Sequence, residues 1–189
     1  MKILILIISI FSFASCHTLE ESSGVSTSFV HKNEQKPYNQ TLEKNLRTTT
    51  VYYNYETLYV VSASMLSSQF YEALSNRVRD HYQSMDVLKN FTINSTVFLS
   101  IFSPDYELND VSNNRIWELF LEIDGRKYPV KSVRKVKEKG AWYSFFPYIN
   151  NWTTDFIITF DIPESEKLPA TSNFIFTMVN SQTRTTMRW

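Results

Sequence analysis

Trp117-Glu118-Leu119-Phe120-Leu121-Glu122-Ile123-Asp124-Gly125-Arg126-Lys127-Tyr128-Pro129-Val130 is the run that decides the fold. Trp117, Leu119, Leu121 and Ile123 fall at every second position, with Glu118, Phe120 and Glu122 between them. That is the two-residue period of a strand with one buried face. Asp124-Gly125 then supplies two residues that accept positive φ, as a two-residue hairpin turn requires. A turn there sets Leu121 opposite Tyr128 and Leu119 opposite Val130. Past Val130 the alternation loses phase, because Val133 and Val136 do not continue it. With Pro129 beside it, the slip predicts a bulge or an edge strand.

Strand signals continue on both sides of the hairpin. Upstream, Val97, Leu99 and Ile101 alternate with Phe98, Ser100 and Phe102, so both faces are largely apolar and the strand should be central. Thr57–Met65 reads as a strand with Tyr59, Val61, Ala63 and Met65 on one face and Leu58, Val60, Ser62 and Ser64 on the other. Between these two, Ser67 or Ser68 can cap a helix of about residues 68–85. Phe70, Ala73, Leu74, Val78, His81, Tyr82 and Met85 form its apolar stripe. Downstream, Phe156, Ile158, Phe160 and Ile162 alternate, then Phe174, Phe176 and Met178, and Thr183–Trp189 returns as a last strand. Short strands separated by turn residues, with one helix near the start, predict a mainly β domain over residues 51–189: an antiparallel β-sandwich with one α-helix docked on it. The ring of Trp189 should pack into the core.

Composition agrees and removes several function classes. Aromatic residues make up 15% of the chain, with 14 Phe and 11 Tyr, against three glycines. Such a balance favours strands. It leaves no cluster of glycines for a phosphate-cradling loop or a dinucleotide fingerprint. The formal net charge is zero, which argues against nucleic acid as a partner. Four Asn-x-Ser/Thr triplets, at Asn39, Asn90, Asn94 and Asn151, are what a chain rich in Asn, Ser and Thr produces by chance.

The amino terminus gives an address. Lys2 precedes an apolar run, Ile3–Phe13, too short to span a bilayer, and small residues follow it, the layout of a secretory signal over residues 1–15. Phe13-Ala14-Ser15-Cys16 resembles the lipobox of bacterial lipoproteins, with Phe where Leu is commoner. The resemblance implies that Cys16, the one cysteine of the chain, is acylated and begins the mature protein. A single thiol in an oxidising compartment has no partner within the chain, so acylation gives it a reason to be there. Two or more acyl chains anchor stably, at about 0.8 kcal/mol per buried methylene. His17 follows Cys16, where enteric lipoproteins retained in the inner membrane carry aspartate, so the outer membrane is expected. Residues 16–50, polar and poor in large apolar side chains, read as a flexible tether with at most a short helical turn near Thr41–Leu46.

Three stretches are candidates for contact or chemistry. In Ser103–Asp110, Asp105, Glu107 and Asn109 alternate as oxygen ligands do in a calcium loop. Asp110 and Ile116 stand where that pattern needs glycine and glutamate, so self-bonded Asx turns are the simpler reading and no metal is expected. Arg126–Lys139 carries seven basic residues against Glu138. It suits either anionic lipid headgroups or, more simply, an edge hairpin protected by lysine. Trp142, Tyr143, Phe145, Phe146 and Tyr148, with Trp152 nearby, form an aromatic loop that either binds a sugar ring or a partner or plugs one end of the sandwich. Catalysis has little material. His17 and His31 lie in the tether, His81 lies on the helix stripe, no serine sits in a glycine-flanked elbow, and acylation would consume the thiol.

From about Phe98 to Trp189 the chain resembles a family of uncharacterised bacterial lipoproteins. The matching pieces, in order, are Phe102-Ser103-Pro104-Asp105, Asn109-Asp110, Ile116-Trp117-Glu118-Leu119, Phe146-Pro147-Tyr148 and the terminal Trp189. This chain is poorer in arginine and glycine than that family. The resemblance implies secretion and domain boundaries and transfers no catalytic role. The expectation is therefore a lipid-anchored protein of the bacterial cell envelope, a non-catalytic binding or interaction module without cofactor. Its partners would be the membrane, through acylated Cys16, and another envelope protein. The alternatives are a hydrolase of envelope polymers using two carboxylates that the sequence does not identify, since pairs such as Asp155 and Asp161 occur in any protein of this size, and an accessory subunit of an outer-membrane assembly or export complex that contacts through the aromatic loop.

Overall fold

In the computed structural model the hairpin forms as its sequence requires. Asp124 and Gly125 take φ of 49° and 86°, the paired left-handed geometry of a type I′ turn. Glu118–Ile123 and Arg126–Lys135 pair antiparallel around it, with Leu121 opposite Tyr128. The Leu119–Val130 pair does not form. The ladder ends at Phe120–Pro129, and Val130 pairs with Phe160 instead. A register shift between Val130 and Ser132 marks the expected bulge, where the strand leaves one neighbour for another.

The structure describes residues 35–81, 88, 91–140, 142–163, 166 and 172–189. The expected leader (residues 1–15), Cys16, His17, His31 and the last residues of the expected helix, Tyr82 and Met85 among them, lie outside the described residues. In chain order the elements are α1 (Gln35–Asn45), β1 (Leu46–Tyr53), β2 (Glu56–Met65), α2 (Ser68–His81), β3 (Thr96–Phe102), β4 (Glu118–Ile123), β5 (Arg126–Lys135), β6 (Thr154–Phe160), β7 (Phe174–Val179) and β8 (Arg184–Arg188). All eight strands join one antiparallel sheet in the order β1-β2-β3-β6-β5-β4-β7-β8. The expected two-sheet sandwich is thus replaced by a single, nearly closed, barrel-like sheet. Its corner is β5, whose first half pairs with β4 and second half with β6, as strands do where a sheet folds over on itself. At the opposite seam the Arg47 side chain donates from Nε to the Arg188 carbonyl at 2.6 Å, and Trp189 donates from Nε1 to the Asn45 carbonyl at 2.5 Å.

Order also begins earlier than expected. Residues 35–50, assigned to the tether by composition, form α1 and most of β1. Pro37 lies in the first turn of α1, where its missing N–H is not needed. Tyr38 and Leu42 are buried against α2. β1 is threonine-rich and has a largely solvated outer face, so it carries little apolar signal. It turns into β2 through Asn54 and Tyr55 at φ 49° and 67°, a left-handed pair without glycine.

Two cores lie on opposite sides of the sheet. The inner one joins Tyr59, Val61, Ala63 and Met65 of β2 to Leu99, Ile101, Leu121, Phe156, Ile158, Phe160, Phe176 and Met178. The expected inward faces of β2, β4, β6 and β7 are all found there, and Trp189 packs half-buried at its margin. The outer core packs α1 and α2 over Phe98 and Ile157. Ser67 begins α2, accepting the Phe70 N–H at 3.2 Å and donating to Asn45 Oδ1 at 3.0 Å. This is the expected N-cap, tied here to the end of α1. Phe70, Leu74 and Val78 are buried as the stripe predicts.

Candidate functional site

The outer face of β2, β3 and β6 is where polar residues interrupt the apolar pattern. Register places Thr48, Ser62, Ser100 and Asp155 in one row across β1, β2, β3 and β6. Thr48 Oγ1 and Ser62 Oγ are 2.9 Å apart. Ser100 Oγ donates to Asp155 Oδ1 at 2.6 Å, and Thr153 Oγ1 donates to the same oxygen at 2.9 Å. Asp155 is fully buried, and a buried carboxylate requires compensation. Lys139 supplies it: Nζ stands 3.1 Å from Oδ2, as an ion pair off the line of a hydrogen bond. The same ammonium donates to the carbonyls of Asn150, at 2.9 Å, and Thr153. One lysine therefore fastens the chain around residue 150 to the sheet.

That fastening shapes the aromatic loop. Trp142, Phe145 and Phe146 are buried in the outer core, and Phe146 stacks on Phe98 with ring centroids 4.0 Å apart and planes at 8°. Tyr38 of α1 donates its hydroxyl to the Phe145 carbonyl at 2.7 Å. Tyr148 is half-buried and donates to Ser64 Oγ at 2.9 Å. Burial holds the Tyr148 hydroxyl well above its ordinary pKa, the Ser64 contact opposing this and Tyr38 and Asp155 adding to it. Most of the expected contact surface is therefore core. Tyr143, bonded to Asn151 Oδ1 at 2.8 Å, remains partly exposed, and Trp152 is 79% exposed. Asn150 Oδ1 accepts from the Trp152 and Thr153 N–H groups at 2.8 and 3.2 Å, an Asx turn that presents Trp152 to solvent.

Between Trp152 and the sheet lies a groove of about 580 Å³, lined by Val60, Ser62, Ser100, Phe102, Tyr148, Asn150, Trp152 and Thr153. Its volume falls in the range of small-molecule sites, about 300–1,000 Å³. Valine and three aromatic rings make its walls, while hydroxyls and one amide supply the polar points. No carboxylate, ammonium or imidazole is among these lining residues.

The other candidates resolve differently. Asp105 Oδ1 accepts from Glu107 N at 3.0 Å, and Asp110 Oδ1 accepts from Ser112 N at 3.1 Å. Asn109 bridges both backbone groups of Ser103, at 2.7 and 2.8 Å. The loop is a chain of Asx turns with a 3₁₀ turn at Glu107–Asn109. Among the described residues no cluster of metal-ligating side chains is found. Asp155 and Asp161 do not share an environment: the first is buried, the second exposed. Lys131, Arg134, Lys135 and Lys137 are exposed on and just beyond the half of β5 that pairs with β6 alone, which is locally an edge.

Val60, Ser62, Ser100, Asn150 and Thr153 were not singled out by sequence. Their only signal was hydroxyls at Ser62, Ser64 and Ser100 on otherwise apolar strand faces. Among the described residues no helix is long and apolar enough to cross a membrane. No protein-family model matches the chain, and no curated protein matches it in sequence.

Proposed function

We propose that this chain is a lipid-anchored protein of the bacterial cell envelope that acts as a binding module without catalysis, with the groove beside Trp152 as its ligand site. The groove carries this reading. It pairs an exposed indole with apolar walls and a few hydroxyls, the usual make-up of a ligand site. The described lining residues include no carboxylate, ammonium or imidazole for a hydrolase to use. The anchoring half rests on the leader, the lipobox-like Phe13–Cys16 and the single cysteine. It agrees with the resemblance to uncharacterised envelope lipoproteins.

Each half has its own test. Cys16→Ala should move the protein from the detergent-released membrane fraction to the soluble fraction; an unchanged distribution removes the anchor. For the site, Val60→Trp fills the groove from its wall. Small fragments that raise the melting temperature of the parent chain should fail to raise that of the Val60→Trp chain, and equal shifts in both would place binding elsewhere.

A further inference from the structure

We infer that the groove takes a neutral sugar ring, stacked on the indole of Trp152. This deepens the proposed binding role and rests on it. Three observations converge. First, Trp152 is 79% exposed and makes no ring stack or cation contact among the described residues. Burying a large apolar ring is favourable, and the Asn150 turn keeps that gain unused on the free surface. Second, Asn150 lines the groove with its Oδ1 spent on the backbone, whereas its Nδ2 makes no hydrogen bond among the described residues and keeps two donors. Among the described residues Ser62 Oγ bonds to Thr48 alone and keeps capacity for one more partner. Third, among the described residues no charged group lines the cavity. An ionic ligand would lose its hydration there without compensation.

A pyranose ring answers all three. Its axial C–H face is apolar and slightly positive, and an indole face is negative. Its hydroxyl edge donates and accepts, and it carries no charge. An acyl chain would satisfy the walls and leave the amide donors unmatched. A carboxylate sugar would bring a charge that nothing in the lining receives. The ammonium of Lys139, bonded to the carbonyls of the lining residues Asn150 and Thr153, is already held by them and by Asp155.

Saturation-transfer NMR on the Cys16→Ala full chain tests this. The probes are the neutral β-1,4 trimers of glucose and of N-acetylglucosamine, the α-1,4 trimer of glucose, the trimer of galacturonate, and dodecanoate. Transfer to the ring C–H protons of at least one neutral trimer is expected, with affinity at least tenfold weaker in Trp152→Ala. Tyr55→Asn, which removes another exposed ring and suits the positive φ there, should leave that affinity unchanged. Three results overturn the inference: no transfer to any neutral trimer, equal transfer in Trp152→Ala, or stronger binding of galacturonate. If dodecanoate alone binds and depends on Trp152, the sugar class falls and the groove remains a ligand site. If no probe binds, both readings fall.

Discussion

The inner and outer faces of β2, β3 and β6 are built by the same strands and carry opposite chemistry. Inside, Val61, Ala63, Leu99, Ile101, Phe156 and Ile158 are apolar and fully buried. Outside, the face divides along its length. Phe98 and Ile157 lie under two helices and a buried aromatic loop, while Ser62 and Ser100 line a groove and Asp155, next in their row, is fully buried beside it. A fold needs the first arrangement for stability. The second places a buried charge beneath a loop, and its visible result is an indole held in solvent above a cavity. One face is continuous core, whereas on the other a packed layer and an open groove share the same strands, and Lys139 ties the loop beside the groove to the sheet.

Breaking that tie should have the largest effect. Removing one partner of a buried ion pair costs about 3–5 kcal/mol, so Lys139→Ala should lower the urea-unfolding free energy on that scale. Asp155→Asn in the same chain should restore much of it, because the leftover charge is gone. A loss below about 1 kcal/mol in the single variant would mean that Asp155 is compensated by its hydroxyl donors alone. Next come the two cores. Leu99→Ala inside and Phe146→Ala outside should cost about 2–5 and 3–5 kcal/mol respectively. If Phe146→Ala were nearly silent, the aromatic loop would be a removable appendage.

Alkaline pH should sharpen the contrast, since buried tyrosines lie under the outer layer. Burial raises Tyr148 well above the ordinary value of 10.0, and raises Tyr38 as well, with Arg77 opposing. The unfolded chain therefore loses these protons first. Stability is fully present below about pH 10 and falls as pH rises from there through the folded-state values. Tyr148→Phe should flatten that decline in thermal melts recorded at increasing pH. A parallel decline in both chains would show that Tyr148 does not contribute to it.

The smaller effects concern single contacts. Ser67→Ala removes the cap of α2 and should cost about 1 kcal/mol by the same urea measurement. Trp152→Ala should change stability by no more than about 0.5 kcal/mol, as surface substitutions do. A substantially larger cost would make the indole a packing residue and weaken its reading as a ligand contact.

How far these features were legible in the sequence follows the same division. The inner face was legible because period-two alternation is dictated by the pleat, and Asp124-Gly125 fixed one register outright. α1 and β1 were not. Their burial comes from a few side chains, Tyr38 and Leu42 above all, within a polar composition that resembles a tether. Whether the strands made two sheets or one curved sheet depended on β5 changing partners at Val130, which alternation reports only as a slip of phase. The groove was legible least of all. Ser62 and Ser100 meet Asn150 and Trp152 only through β2–β3 pairing and the Lys139 fastening, and neither leaves a local pattern.

The most direct test of the groove is fluorine NMR of the Cys16→Ala chain labelled with 5-fluorotryptophan, whose four lines are assigned by single Trp→Phe substitutions. On adding the low-molecular-mass fraction of a bacterial envelope extract, the Trp152 line should move while those of the buried Trp117 and Trp142 stay in place. A stationary Trp152 line, or movement confined to the buried tryptophans, would contradict the assignment of this groove as the ligand site.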